Sequence, residues 1–242
     1  MTAQRPHPGA RTRRRAAASL VLALAGLLSL TGCDPRTLFY FLQPFEPTVP
    51  APGPSLKGKK VVIVTHAVSS TQGDFQSLDR DLTREVGMLL RENAKKIELV
   101  PQDKVWTWVE GHPHWTDPSE IAKAFEADVV IFLEVESFQL QNPSDINVFQ
   151  GTARTHIMVT EMAHPKNSKG KSINDQPKEA KSIYDDYCDT EFPRRGPIPI
   201  DTGVSRGAFK AKFLKVVAAE VSWHFVEHAP GDNIQEVKFN NN

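Results

Sequence analysis

Cysteine is almost missing from this sequence: 242 residues hold two, Cys33 and Cys188. A fold built on a disulfide framework is thereby excluded. Charge of one sign is missing too. Lys and Arg number 29, Asp and Glu number 29, and the net charge is zero. No long Lys/Arg stripe occurs, so a general nucleic-acid binder is excluded and no nucleic acid is expected as a partner. Apolar runs are short. Ala16–Leu30 has 15 residues, fewer than the ~20 that a spanning helix needs. A polytopic membrane protein is excluded on that ground. At 40% hydrophobic residues the chain is not a disordered tail either. No P-loop is present, no cofactor is expected, and the chain reads as a binding module rather than an enzyme.

What is present begins with an address. Residues 1–32 carry Arg5, Arg11, Arg13, Arg14 and Arg15 and no acid. Taking those five from 29 basic residues leaves 24 against 29 acidic ones, so the rest of the chain has a net charge of −5. The arginines precede the apolar run, and Leu30-Thr31-Gly32-Cys33 closes it. A positive segment, an apolar core and small residues in that order make an export signal. The closing four residues resemble the lipobox of bacterial lipoproteins. The resemblance implies a diacylglycerol on the Cys33 thiol, cleavage of residues 1–32, and acylation of the new amine. Each buried CH₂ of such chains adds ~0.8 kcal/mol to membrane anchoring. The expected location is a bacterial cell envelope, with the protein lipid-anchored to a membrane and facing the periplasm or the exterior. Asp34 resembles the inner-membrane retention signal of enterobacterial lipoproteins, a rule confined to those hosts. With Cys33 lipidated, Cys188 has no intramolecular partner. It reads as a small, partly buried strand residue rather than a nucleophile.

Residues 33–58 read as the lipidated cysteine and a tether. An aromatic patch, Leu38–Leu42, is followed by Pro44, Pro47, Pro50, Pro52 and Pro54. Such spacing favours extended polyproline conformation and a semi-rigid spacer. The patch fits either the bilayer interface or a loose cover on the domain. Residues 59–230 form the globular α/β domain, and 231–242 a frayed tail. Val61–Val64 is a β-branched run expected as a buried central strand. A Ser/Thr/Gly loop follows, and Asp74 is placed to cap a helix from Phe75. Its apolar positions Leu78, Leu82, Val86, Leu89 and Leu90 share one face. Ile97–Val100 predicts a short strand and Asp103–Val109 a short helix. Asp117 or Ser119 opens another helix, through Phe125. Val129–Leu133 is the strongest strand, with a phase shift at Ser137-Phe138 that marks a bulge or an end. Phe149–Met162 and Ser182–Phe192 alternate as strands. Pro165–Lys178 reads as an exposed loop, and Asp201 or Ser205 opens a long helix to about His228. The order β-α-β-α-α-β-β-β-α predicts an α/β fold: a single mixed sheet of about five strands, packed helices and a long C-terminal helix.

That order carries a family resemblance. A lipobox, the strand VVIVTHA, IELVPQDKV before a helix, and SEIAKAFEADVVIFLEVESFQ leading into QGTARTHIMVTEM occur in sequence. Over residues 60–190 this resembles the α/β domain of envelope lipoproteins related to the curli secretion channel subunit, shared with activators of penicillin-binding proteins. In those families a small residue plus Asp precedes an apolar strand, matched here by Ala127-Asp128-Val129-Val130-Ile131. The resemblance implies an envelope assembly or scaffolding part that works by binding protein partners. Long amphipathic hairpins of a pore are not evident.

Four constellations bear on chemistry. Gly73, between a strand and a helix, sits where a phosphate could bind, yet it lacks the lysine and second glycine of such loops. His112, His114 and Trp115 form GHPHW, read as an exposed turn with aromatic packing rather than a metal site. Glu220, His224 and His228 fall at i, i+4 and i+8 of the last predicted helix, a stripe that could hold a transition metal. Phe225 follows His224, so HExxH is absent, and the stripe reads as a helix flank beside the core. Asp185 and Asp189 share one strand face and Asp186 the other, read as an acidic edge strand protected against aggregation. The expected function is a membrane-anchored lipoprotein that recruits envelope protein partners, a second copy among them. The alternatives are a metal-dependent envelope hydrolase using His224 and His228, and a secretion-channel component.

Overall fold

The computed structural model describes residues 48–68, 71, 75–142, 144–165, 172–173 and 175–229. The segment expected as an export signal, Cys33, the aromatic patch, Gly73, Asp74 and residues 231–242 lie outside these residues.

The fold is α/β, a mixed sheet with helices on both faces, as the order of elements predicts. Strand β1 (Lys60–Ala67) pairs in parallel with β2 (Glu98–Leu99) and with β3 (Val129–Asn142). Strand β4 (Asp145–Ala163) runs antiparallel to β3, and β5 (Glu179–Phe192) antiparallel to β4. The order is β2-β1-β3-β4-β5, with β6 (Ile198–Pro199) on β4 beyond the end of β5. Val61–Val64 is buried on both faces, as a continuous β-branched run in a central parallel strand requires.

One face carries α1 (Leu78–Asn93) and α4 (Arg206–Ser222). Leu78, Leu82, Val86 and Leu90 of α1 are fully buried at four-residue spacing, so a single stripe meets the sheet. Phe75 precedes the helix and packs edge-on to Phe138, ring centroids 5.1 Å apart. Helix α1 thus starts three residues after the position the sequence predicts. Thr83 and Thr65 face each other across this layer and bond hydroxyl to hydroxyl at 2.7 Å. The other face carries α2 (Gln102–Gly111) and α3 (Pro118–Ala124) over Val62, Val64 and Val130. Helix α3 starts at a side-chain cap: Asp117 accepts the Ser119 N–H at 2.8 Å, with Pro118 in the first turn.

Glu136 is the extra residue of a bulge, since Val135 pairs Thr155 and Ser137 pairs Arg154. The bulge shifts the alternation by one, so Phe138 and Leu140 point inward after it. The strand continues to Asn142 rather than ending there. On β4, Ala153, Thr155, Ile157 and Val159 are buried, and Arg154, His156 and Met158 take the opposite face. Gly151 of β4 lies under Phe213, where a Cβ would stand 2.7 Å from the ring.

Two segments differ from expectation for a common reason. The long helix was predicted to reach His228 but ends at Ser222. The Pro-rich segment, expected as a spacer, lies against that end from Val49 onward. Gly53 N–H donates to the His224 carbonyl at 2.8 Å, and Val49 and His228 exchange backbone hydrogen bonds. Leu56 is 2% exposed. A Cβ on Gly53 would stand 2.4 Å from the His224 oxygen, so only glycine allows this approach. No described helix is long and apolar enough to cross a membrane.

Candidate functional site

The sequence-predicted stripe Glu220, His224 and His228 does not become a coordination set. Its i, i+4 logic needs a helix, and the helix stops before His224. The same residues spell His224-Phe225-Val226-Glu227-His228, the H-x-x-E-H order of one zinc-protease class. That pattern also needs both imidazoles on one helical face. Instead each group has its own contact. Glu220 accepts from Arg194 at 2.8 Å, and His228 stacks on Trp223 with centroids 4.3 Å apart. His224 Nδ1 lies 2.7 Å from the Tyr184 hydroxyl, which donates onward to Asp186 at 3.0 Å. With the tyrosine O–H directed at Asp186, His224 Nδ1–H is the donor to Tyr184. The three residues still line one open cleft of about 450 Å³, walled by Val49, Pro50 and Pro52.

Electrostatics follow from this burial. Desolvation pulls the His224 pKa below its usual 6.5, against the opposing pull of Asp186. Burial, with the Asp186 bond adding to it, pushes the Tyr184 phenol up to about 12. The Tyr187 N–H, with Tyr184 and His224 adding to it, holds Asp186 below the usual carboxylate value. Burial pushes the Cys188 thiol up to about 12 as well. Cys188 is buried on β5 as a neutral thiol, a packing residue rather than a nucleophile.

The acidic strand sits as expected. Asp185, Tyr187 and Asp189 face away from α4, and among the described residues β5 is the last strand on its side of the sheet. There they meet a charged patch. Asp185 bonds His156 Nε2 at 2.6 Å, and Arg154 bridges Glu136 at 3.2 Å and Asp189 at 3.5 Å. Arg154 and His156 both lie over Tyr187 at 4.4 Å. Glu134, Glu136 and His156 offer ligand atoms within 4.8 Å of one another. Arg154 already pairs with Glu136, so that carboxylate has a counter-charge of its own.

The GHPHW turn is an aromatic packing unit. His112 stacks on Trp108 with centroids 4.2 Å apart and bonds its carbonyl at 2.8 Å. Trp115 packs edge-on to Trp108 and to Phe132, at 5.8 Å each. Gly203-Val204-Ser205-Arg206-Gly207 has the G-x-S-x-G spacing of a nucleophile elbow. A 3₁₀ turn (Ile200–Thr202) precedes it instead of a strand, and Ser205 Oγ accepts the Ala208 N–H at 3.1 Å. Ser205 is therefore a helix cap.

Sequence reasoning missed a cavity of about 480 Å³ between α2, the GHPHW turn and the sheet. Val64, Phe132 and Met158 form its floor, Trp106 and Trp115 a wall, and Asp79 and His66 its ionisable lining. These residues come from five elements and the GHPHW turn, so no local spacing announces them.

No protein-family model matches the chain, and no curated protein matches it in sequence. Among solved structures it is similar to the PelC dodecamer of Paraburkholderia phytofirmans, at 10% identity and TM-score 0.38, over 76% of this chain and 99% of that one. It is similar to the hypothetical protein CT253 of Chlamydia trachomatis, at 13% identity and TM-score 0.42, over 69% and 97%. The lipoprotein GNA1162 of Neisseria meningitidis matches at 10% identity and TM-score 0.38, over 70% and 99%.

Proposed function

We propose that this protein is a lipid-anchored module of a bacterial envelope, held by acyl chains on Cys33, that recruits protein partners. The observation that carries the reading is the N-terminal order: five arginines, a 15-residue apolar core, then Leu30-Thr31-Gly32-Cys33. Each part is common alone, and the order is what an export and lipidation signal requires. The partner surface in this reading is β5. It is a 14-residue strand with β4 on one side and, among the described residues, no strand on the other. Such an edge offers backbone donors and acceptors to an added strand. Its acidic side chains set which partners are tolerated and keep random edges away. A second copy of the chain is one such partner.

Photo-cross-linking in intact cells tests this. A photoreactive amino acid replaces Lys181 on β5 in one strain and Met88 on α1 in another; both positions are exposed. The reading expects a discrete adduct from position 181, none from 88, and loss of the adduct when Cys33→Ala removes the anchor. Equal adducts from both positions, or an adduct that survives Cys33→Ala, contradict it.

A further inference from the structure

The cavity beside the carboxyl end of β1 has no part in the reading above. The topology explains why it is there. The chain leaves β1 through α1 on one face to reach β2, then returns through α2 and α3 on the other face to reach β3. Between β1 and β3 the direction of winding reverses. In open α/β sheets, ligands bind in the crevice outside the carboxyl ends of strands at such a switch. The volume of about 480 Å³ lies within the roughly 300–1,000 Å³ of small-molecule sites.

Its surface is prepared. Val64, Phe132 and Met158 lie side by side across three neighbouring strands, a flat apolar floor. Trp115 is pinned between Trp108 and Phe132, so that wall needs no rearrangement to receive a ligand. Asp79 lines the cavity. Its carboxylate accepts the Arg80 N–H at 3.0 Å, and among the described residues no lysine or arginine pairs with it. The adjacent guanidinium is engaged elsewhere: Arg80 bonds Glu110 and lies 5.4 Å from the Trp106 ring centre. A carboxylate without a counter-charge therefore borders an aromatic hollow. An ammonium there gains an ion pair with Asp79, while an apolar body covers the floor.

We propose that this cavity binds a small organic cation, a primary amine carried on an apolar or aromatic body. Asp79 receives the ammonium, and the row Val64–Phe132–Met158 receives the body. The site needs no lipid anchor and stands or falls apart from the envelope reading.

Calorimetric titration of the full-length protein in detergent tests it with four probes: phenethylamine, phenethyl alcohol, phenylacetate and Nα-acetyl-lysine methylamide. The expected order has the amine about tenfold tighter than the alcohol, with phenylacetate weakest. Asp79→Asn brings the amine down to the alcohol and leaves the alcohol unchanged, which reads cavity integrity in the same sample. Asp103→Asn, an exposed acid on α2, changes nothing. Cys33→Ala protein gives the same affinities, so failure of the anchor leaves this result standing. Equal affinities for amine, alcohol and acid overturn the proposal, as does absence of saturable binding or an amine preference that survives Asp79→Asn. A lysine derivative tighter than phenethylamine also overturns it, because the cavity would then belong to a side chain of a protein partner.

Discussion

The parallel half of the sheet and its antiparallel half solve the same burial problem differently. Around β1, helices cover both faces, and Val62 and Val64 are as buried as Val61 and Ile63. Around β4 and β5 the α4 face is a layer of packed phenylalanine rings, whereas the opposite face is Arg154, His156, Tyr187 and their carboxylates. The cavity lies where cover gives way to charge, bounded by Val64 on one side and Met158 on the other. Burial on both faces fixes the frame, and the half-covered border leaves room for a ligand.

The largest effect is expected in the ring layer. Phe213 is fully buried and stands 4.8 Å from Phe138. Phe213→Ala is expected to cost about 3–5 kcal/mol in urea unfolding. Gly151→Ala pushes a Cβ into the same ring and is expected to cost about 1–3 kcal/mol. The double variant is expected to lose clearly less than the sum, because removing the ring removes the clash. Strict additivity would show that the two do not share one packing constraint.

Asp128 ties the parallel half together. Its carboxylate accepts the Lys60 N–H at 3.1 Å and the Lys178 ammonium at 2.8 Å. The Lys178 bond, with Lys60 and nearby Lys59 adding to it, holds this group below its usual 3.8. Asp128→Ala is expected to cost about 1–2 kcal/mol at neutral pH. A group with a lowered folded-state pKa stabilises above the unfolded value and loses that contribution as pH falls through the folded one. The gap between wild type and variant should therefore close below pH 3.8, and a gap that persists in acid would assign the effect to packing.

His224 should show a smaller effect at milder pH. Its pKa is lowered from 6.5 by burial, so the unfolded chain takes up the proton first as pH falls. Stability from this group is full above pH 6.5 and declines on acidification below it. His224→Gln should flatten melting temperature against pH over that range, and an unchanged slope would contradict the buried neutral imidazole. The least effect belongs to the charged face. Arg154 is half exposed, and Arg154→Met is expected to change stability by less than about 1 kcal/mol. A larger loss in unfolding would make that patch part of the frame.

Much of the frame is legible in the sequence because its signals are local. Leu78, Leu82, Val86 and Leu90 repeat at helical spacing, Val129–Leu133 is a continuous apolar run, and Ser137-Phe138 breaks an alternation where the bulge stands. Asp117 before Pro118-Ser119 announces a cap. The end of α4 was illegible because the segment that meets it, Val49 to Gly53, comes from the far end of the chain. The stripe Glu220–His224–His228 is interrupted for the same reason, since its spacing needs a helix through His228 and the docked segment meets the chain beyond Ser222. The cavity was hidden more deeply. Asp79 alone reads as a first-turn acid favoured by the helix dipole, and Trp106 and Trp115 read as packing. Only the pairing of β1, β3 and β4 sets Val64, Phe132 and Met158 in one row beneath them.

Everything said of recruitment depends on the anchor, and mass spectrometry of the N-terminal peptide from membrane-extracted protein tests the anchor directly. The lipoprotein reading predicts a peptide beginning at Cys33 that carries the mass of acyl chains, absent from a Cys33→Ala strain. An unacylated peptide beginning at any other residue would contradict it and leave an exported α/β domain with no lipid to hold it.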